Sequence, residues 1–70
     1  MDLRNQNITV GELLDNPASR SVFQRRFGHL MKHPMVNAGR SLTLKQLSEM
    51  AAVFLPKNVI QATIQELERL

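Results

Sequence analysis

Apolar residues along this chain recur at intervals of three and four and never alternate strictly with polar ones, which is the spacing of helix faces rather than half-buried strands. Val10, Leu13 and Leu14 make the first such face, over residues 10–15. Ahead of it, Thr9 is placed to accept an orphan backbone N–H, with Glu12 three residues on, as in a capping box. Asn16-Pro17 starts a second helix, with Asn16 at the cap and Pro17 at the first helical position, where a missing N–H costs nothing. Val22, Phe23, Phe27, Leu30 and Met31 follow at helical spacing, and Pro34 sets the end, so this helix is expected over 17–32. Residues 34–38 read as one short helical turn closed by Gly39. Thr43, with Ser41 as a competing cap, opens a helix over 44–54 whose inward residues are Leu44, Leu47, Met50, Ala51 and Phe54. Pro56 precedes the last helix, 57–69, striped by Val59, Ile60, Ile64 and Leu67, with Thr63 on the same face. Residues 1–8 carry no such period and are expected to be a flexible or irregular arm.

These elements define an all-α fold, a compact cluster of four to five short helices in a single domain over residues 1–70. No Asn-Gly or Asp-Gly hairpin signal interrupts them, and no tract is repeated or low in complexity. Aromatic residues number three, and Phe23, Phe27 and Phe54 are the expected core anchors. Composition adds little to this picture, since 43% hydrophobic content is ordinary for a folded chain. The lack of cysteine removes disulfides and thiolate metal sites and fits a reducing compartment, so the cytoplasm is the expected location. No apolar run approaches the ~18 residues of a membrane span, and no signal-peptide pattern opens the chain, so no membrane insertion is expected.

Charge changes the picture more. Between Asp15 and Glu49 there is no acidic residue, and six of the nine Lys and Arg residues fall there: Arg20, Arg25, Arg26, Lys32, Arg40 and Lys45. A net charge of +3 therefore covers a cationic middle between faintly acidic flanks. These six are the candidate residues for an anionic partner, by the steering that summed charge exerts, although stems lying over apolar neighbours with heads in water are the commoner use of such residues.

Catalytic chemistry is hard to find. His29 and His33 are four apart, but they have no neighbouring carboxylate or cysteine, and Pro34 disturbs the second turn. Ser19, Ser21, Ser41 and Ser48 lie in no nucleophile elbow, and Gly28 and Gly39 in no phosphate-cradling loop. The expectation is a non-enzymatic chain with no catalytic residue, metal or cofactor. One nucleic-acid pattern competes: Thr43 to Leu67 is a helix, a turn and a second helix, like a helix-turn-helix, with Ser48 small at the expected crossing. Its turn is apolar, and its second helix offers only Lys57 and Arg69 against Glu66 and Glu68, with Asn58, Gln61 and Gln65 as weak base readers.

Thr9-Val10-Gly11-Glu12-Leu13-Leu14-Asp15-Asn16-Pro17, His33-Pro34-Met35, Leu42-Thr43-Leu44-Lys45-Gln46-Leu47 with Met50-Ala51, and Leu55-Pro56 occur in an order covering most of the chain. In that order they resemble a small helical module at the C-terminal ends of bacterial β-glucosidase-like glycoside hydrolases. The resemblance implies an accessory helical domain and carries over no catalytic residue. Glycan binding is implied only by the company such modules keep, and no Trp or Tyr is present for sugar stacking. The expected function is an accessory or interaction module docking to a parent domain, to another copy of itself or to an acidic protein, with nucleic-acid binding through the basic 20–45 region as the alternative. Met31, Met35, Val36 and Leu42, around the Pro34–Gly39 break, are the expected docking residues, since methionine adapts to irregular partners.

Overall fold

In the computed structural model, which describes residues 1–70, the fold is organised by two helix starts that hydrogen-bond to each other. Helix α1 spans Val10–Asp15, α2 Pro17–Phe27, α3 Met35–Ala38, α4 Leu44–Ala51 and α5 Lys57–Glu68, with a 3-10 turn at Leu30–Lys32 between α2 and α3. Thr9 and Thr43, the N-caps of α1 and α4, face one another in an isolated antiparallel bridge. Val10 N–H donates to the Leu42 carbonyl and Leu44 N–H to the Ile8 carbonyl, both at 2.8 Å. Gly11 N–H donates to Arg40 (2.8 Å), and at the equivalent position Lys45 N–H donates to Gln6 (3.0 Å).

Each start is then completed locally. The Thr9 hydroxyl accepts from Glu12 N–H (3.2 Å), and the Glu12 carboxylate accepts from Thr9 N–H (2.9 Å). The Thr43–Gln46 pair repeats the arrangement at 3.1 and 2.9 Å. Leu13 and Leu47 N–H groups donate to the Thr9 and Thr43 carbonyls. All four amides that a helix N-terminus leaves without intrahelical partners are thus satisfied at both ends. Gly11 suits the close approach, because a Cβ there would lie a tight 3.1 Å from the Arg40 carbonyl oxygen.

The first eight residues form no helix, as the pattern suggests, but they are not a loose arm. Leu3 and Ile8 are buried, and Met1 packs against the core. Arg4, Asn5 and Gln6 run through consecutive positive φ values of 52, 57 and 68°, a left-handed turn that disfavours residues with a Cβ by roughly 1–2 kcal/mol each. The turn aims the Gln6 carbonyl at Lys45 N–H, and Arg4 N–H to Asp2 (2.8 Å) and Asn7 N–H to Arg4 (3.1 Å) hold it.

The core gathers Leu3, Ile8, Val10, Leu13, Leu14, Val22, Phe23, Leu44 and Leu67, with Leu13 and Leu67 wholly enclosed. Helix α2 packs on α1 and α5. Two buried hydroxyls are satisfied inside it. Ser19 donates to the Leu13 carbonyl, closing the α1–α2 corner, and Thr63 donates to Val59 (2.8 Å) along α5.

Three expectations need correction. The second helix ends at Phe27, not 32. Beyond Gly28 the backbone tightens to three-residue bonds, Met31 N–H to Gly28 and His33 N–H to Leu30, so Leu30 turns out to solvent while Met31 stays against the core. The fourth helix ends at Ala51, not 54. Phe54 is 85% exposed and Met50 56% exposed, so neither is a core residue. Met50 lies about 100° from the centre of the Leu44–Leu47–Ser48–Ala51 stripe at ~100° per residue. Pro56 disfavours helical backbone before it, and Val53 and Phe54 bond back only three residues, to Met50 and Ala51, which unwinds Phe54 from that stripe. The aromatic core is Phe23 with a half-buried Phe27.

Two measurements probe the paired starts. Thr43→Ala is expected to lower unfolding stability by about 1 kcal/mol in urea denaturation. For Glu12, the N–H of Thr9 first, then its hydroxyl and the Arg4 guanidinium, hold the carboxyl below its ordinary value. Its folded pKa is therefore depressed, so its contribution is whole above about pH 4.3 and is lost as pH falls through the folded value. Thermal melts from about pH 6 down to pH 3 should show a decline that is shallower in Glu12→Gln.

Candidate functional site

Folding divides the cationic middle. The two arginines at the end of α2 reach across to α5: Arg25 pairs with Glu66, and Arg26 donates to the same carboxylate from Nε at 2.8 Å. Arg26 is the more enclosed of the two, with 28% of its side chain exposed against 60% for Arg25. Arg40 pairs with Asp15 at the end of α1. Arg20, Lys32 and Lys45 are exposed and form no ion pair. The acidic flanks therefore fold back onto the basic centre, and three of the six candidates are already engaged by carboxylates of their own chain.

The candidate docking residues around Pro34 are also divided. Met31, Val36 and Leu42 are half-buried and lean on the core, while Met35 is 65% exposed. The two histidines do not share a helix. His29 precedes the 3-10 turn and His33 follows it, where its Nδ1 accepts from Met35 N–H (3.1 Å) at the start of α3.

The apolar surface that stands out lies at the other break, between α4 and α5. Helix α4 has a single fully buried residue, Leu44, at the end fastened by the bridge. Along its far half lies a shallow groove of about 50 Å³, lined by Phe23 and Phe27 of α2, Leu47 and Ala51 of α4, Leu55, and Ile60 and Ile64 of α5. Next to the groove along the chain, Met50, Val53 and Phe54 stand in water, Val53 at 78% exposure. With a radius of gyration of 11.0 Å, the value expected for a closed domain of this length, this exposure belongs to the packed fold and not to an open chain. The helical spacing of Phe54 from Leu47 and Met50 predicts an inward side chain, which the fold does not give it. The signal that could have placed it correctly was Pro56, two residues on.

As a helix-turn-helix, the α4–α5 pair is interrupted by this same corner, since its connection over 52–56 presents Val53 and Phe54 outward. No helix is long and apolar enough to cross a membrane. No group of three His, Asp or Glu side chains is arranged to hold a metal ion. The chain is an all-α protein of several short helices. No family model matches it, nor does any curated protein or solved structure.

Glu66 is the hinge of the charge arrangement, which sets up a simple test. Glu66→Gln should lower stability by about 1 kcal/mol or less, because the pairs are partly solvated. In paired urea titrations the deficit should shrink at about 1 M salt, where screening acts within about 3 Å.

Proposed function

We propose that this chain is a non-enzymatic helical interaction module that docks through the α4–α5 corner onto an apolar protein surface. The observation that carries this reading is the pair Val53 and Phe54, 78% and 85% exposed beside a groove of apolar side chains. A single exposed apolar residue needs no explanation. Three close together in the chain, one of them an aromatic beside a groove it does not fill, form the kind of patch that marks interaction sites on soluble proteins. Burying a Phe side chain is worth about 1.5–3 kcal/mol, so a partner that covers Phe54 gains what folding of the chain alone leaves unused.

The likeness of the capping and proline motifs to accessory modules of bacterial glycoside hydrolases agrees with a binding role rather than a catalytic one. Of the basic middle, Arg20, Lys32 and Lys45 stay unpaired and add electrostatic steering toward an acidic partner surface, favouring encounter more than affinity. Nucleic-acid binding has less in its favour, because Arg25, Arg26 and Arg40 are drawn onto Glu66 and Asp15.

A residue kept for a partner is dispensable to the isolated fold, whereas a core residue is not. Phe54→Ser is therefore expected to melt within about 0.5 kcal/mol of the parent, while Phe23→Ala, in the core, loses about 3–5 kcal/mol. Thermal and urea denaturation of the two variants decide the matter, and a Phe54→Ser variant as damaged as Phe23→Ala would end the docking reading.

A further inference from the structure

Resting on that reading, we infer that residues 1–7 are a strap that opens and recloses in the folded protein, and that its opening widens the groove between α2, α4 and α5. A groove of about 50 Å³ does not hold a phenyl ring, so a large side chain of a partner enters only if a wall moves. The movable wall is α4. Leu44 is its single buried residue, and the others are half-buried or exposed.

The strap ties that wall down. Lys45 N–H, at the start of α4, donates to the Gln6 carbonyl (3.0 Å), and the Met1 amine donates to the Glu68 carbonyl (2.9 Å) at the end of α5. One segment therefore joins the two helices whose separation sets the width of the groove. Ile64 of α5 lines both the groove and a second hollow, which lies between the strap and α5.

Two features make the tie weak. Arg4, Asn5 and Gln6 are all left-handed, with φ of 52, 57 and 68°, and strain of this kind in residues other than glycine gathers at clamps and switches. The strap is also loosely packed, since the hollow of about 350 Å³ beside it, lined by Leu3, Asn5, Gln6, Ile64 and Glu68, is left open. Residues 1–7 are held by the burial of Leu3, the surface pair of Arg4 with Glu12 and a few hydrogen bonds at the surface. Three left-handed residues offset much of what one buried leucine gains, which puts the strap among the parts of the fold that open first. The start of α1 supplies the contrast within the same molecule. Gly11 N–H donates to Arg40 at the position equivalent to Lys45, and Arg40 is not left-handed.

Amide hydrogen exchange followed by NMR on the full chain tests this. Corrected for intrinsic rates, Lys45 should exchange at least about tenfold faster than Gly11. Gln6→Gly relieves one left-handed position, so it should slow Lys45 about threefold or more and leave Gly11 unchanged. Leu3→Ala removes the anchor and should speed Lys45. Anilinonaphthalene sulfonate, which fluoresces on exposed apolar surface, reports the groove: its signal should rise in Leu3→Ala and fall in Gln6→Gly. Adding Ala51→Glu, a charge on the groove wall, should cancel the rise. Lys45 no faster than Gly11, a Lys45 rate indifferent to Gln6→Gly, or a dye signal that ignores either the strap or Ala51→Glu would each overturn the inference. The docking reading fails separately, through an unstable Phe54→Ser, a result that does not alter the Lys45 and Gly11 rates of the parent chain.

Discussion

The fold depends on the reciprocal bridge between Thr9 and Thr43. Two short helices, α1 and α4, face the problem every helix has at its N-terminus, four amides without partners. Each satisfies two of them with its own threonine hydroxyl and its Glu or Gln side chain, and takes the other two acceptors from the segment leading into the other helix. Ile8-Thr9-Val10-Gly11-Glu12-Leu13 and Leu42-Thr43-Leu44-Lys45-Gln46-Leu47 echo one another because they solve the same problem in the same geometry. This likeness is a local pseudo-two-fold, and it fixes two stretches more than thirty residues apart in one register. It also explains why the N-terminal turn accepts a left-handed backbone at Arg4, Asn5 and Gln6, since that conformation delivers one of the shared acceptors.

Fastening α4 at its first residues has a consequence at its other end. Leu44 is drawn into the core, but beyond it α4 is held only by half-buried contacts, and the helix unwinds before Pro56. The groove between α2, α4 and α5 and the exposed corner at Val53 and Phe54 are both products of this asymmetry. A small domain has little apolar surface to spare, so leaving an aromatic ring in water is a substantial fraction of what such a fold can gain by burial. The corner is where the molecule has stabilisation left to gain from contact.

Charge follows the same logic of distant segments meeting. Along the chain the middle is basic and the ends are acidic; in space Glu66 and Asp15 come back onto Arg25, Arg26 and Arg40. These pairs are partly solvated and individually weak. Their larger effect is to remove half of what looked like one cationic surface, leaving Arg20, Lys32 and Lys45 on three separate elements.

The sequence by itself determined whatever acts over one helical turn. The caps at Thr9, Asn16 and Thr43, the capping boxes with Glu12 and Gln46, the starts of four helices and the inward stripe of α5 are all local, because their partners lie two to four residues away. Only the tertiary structure decided that the two threonine caps face each other, that Arg25 and Arg26 share Glu66, that residues 1–8 are anchored by Leu3 and Ile8, and that Phe54 points to solvent. Helical periodicity says that residues share a face, but not which part of that face another helix reaches. For α4, the reach is set by a bridge at its first turn and ends before Phe54.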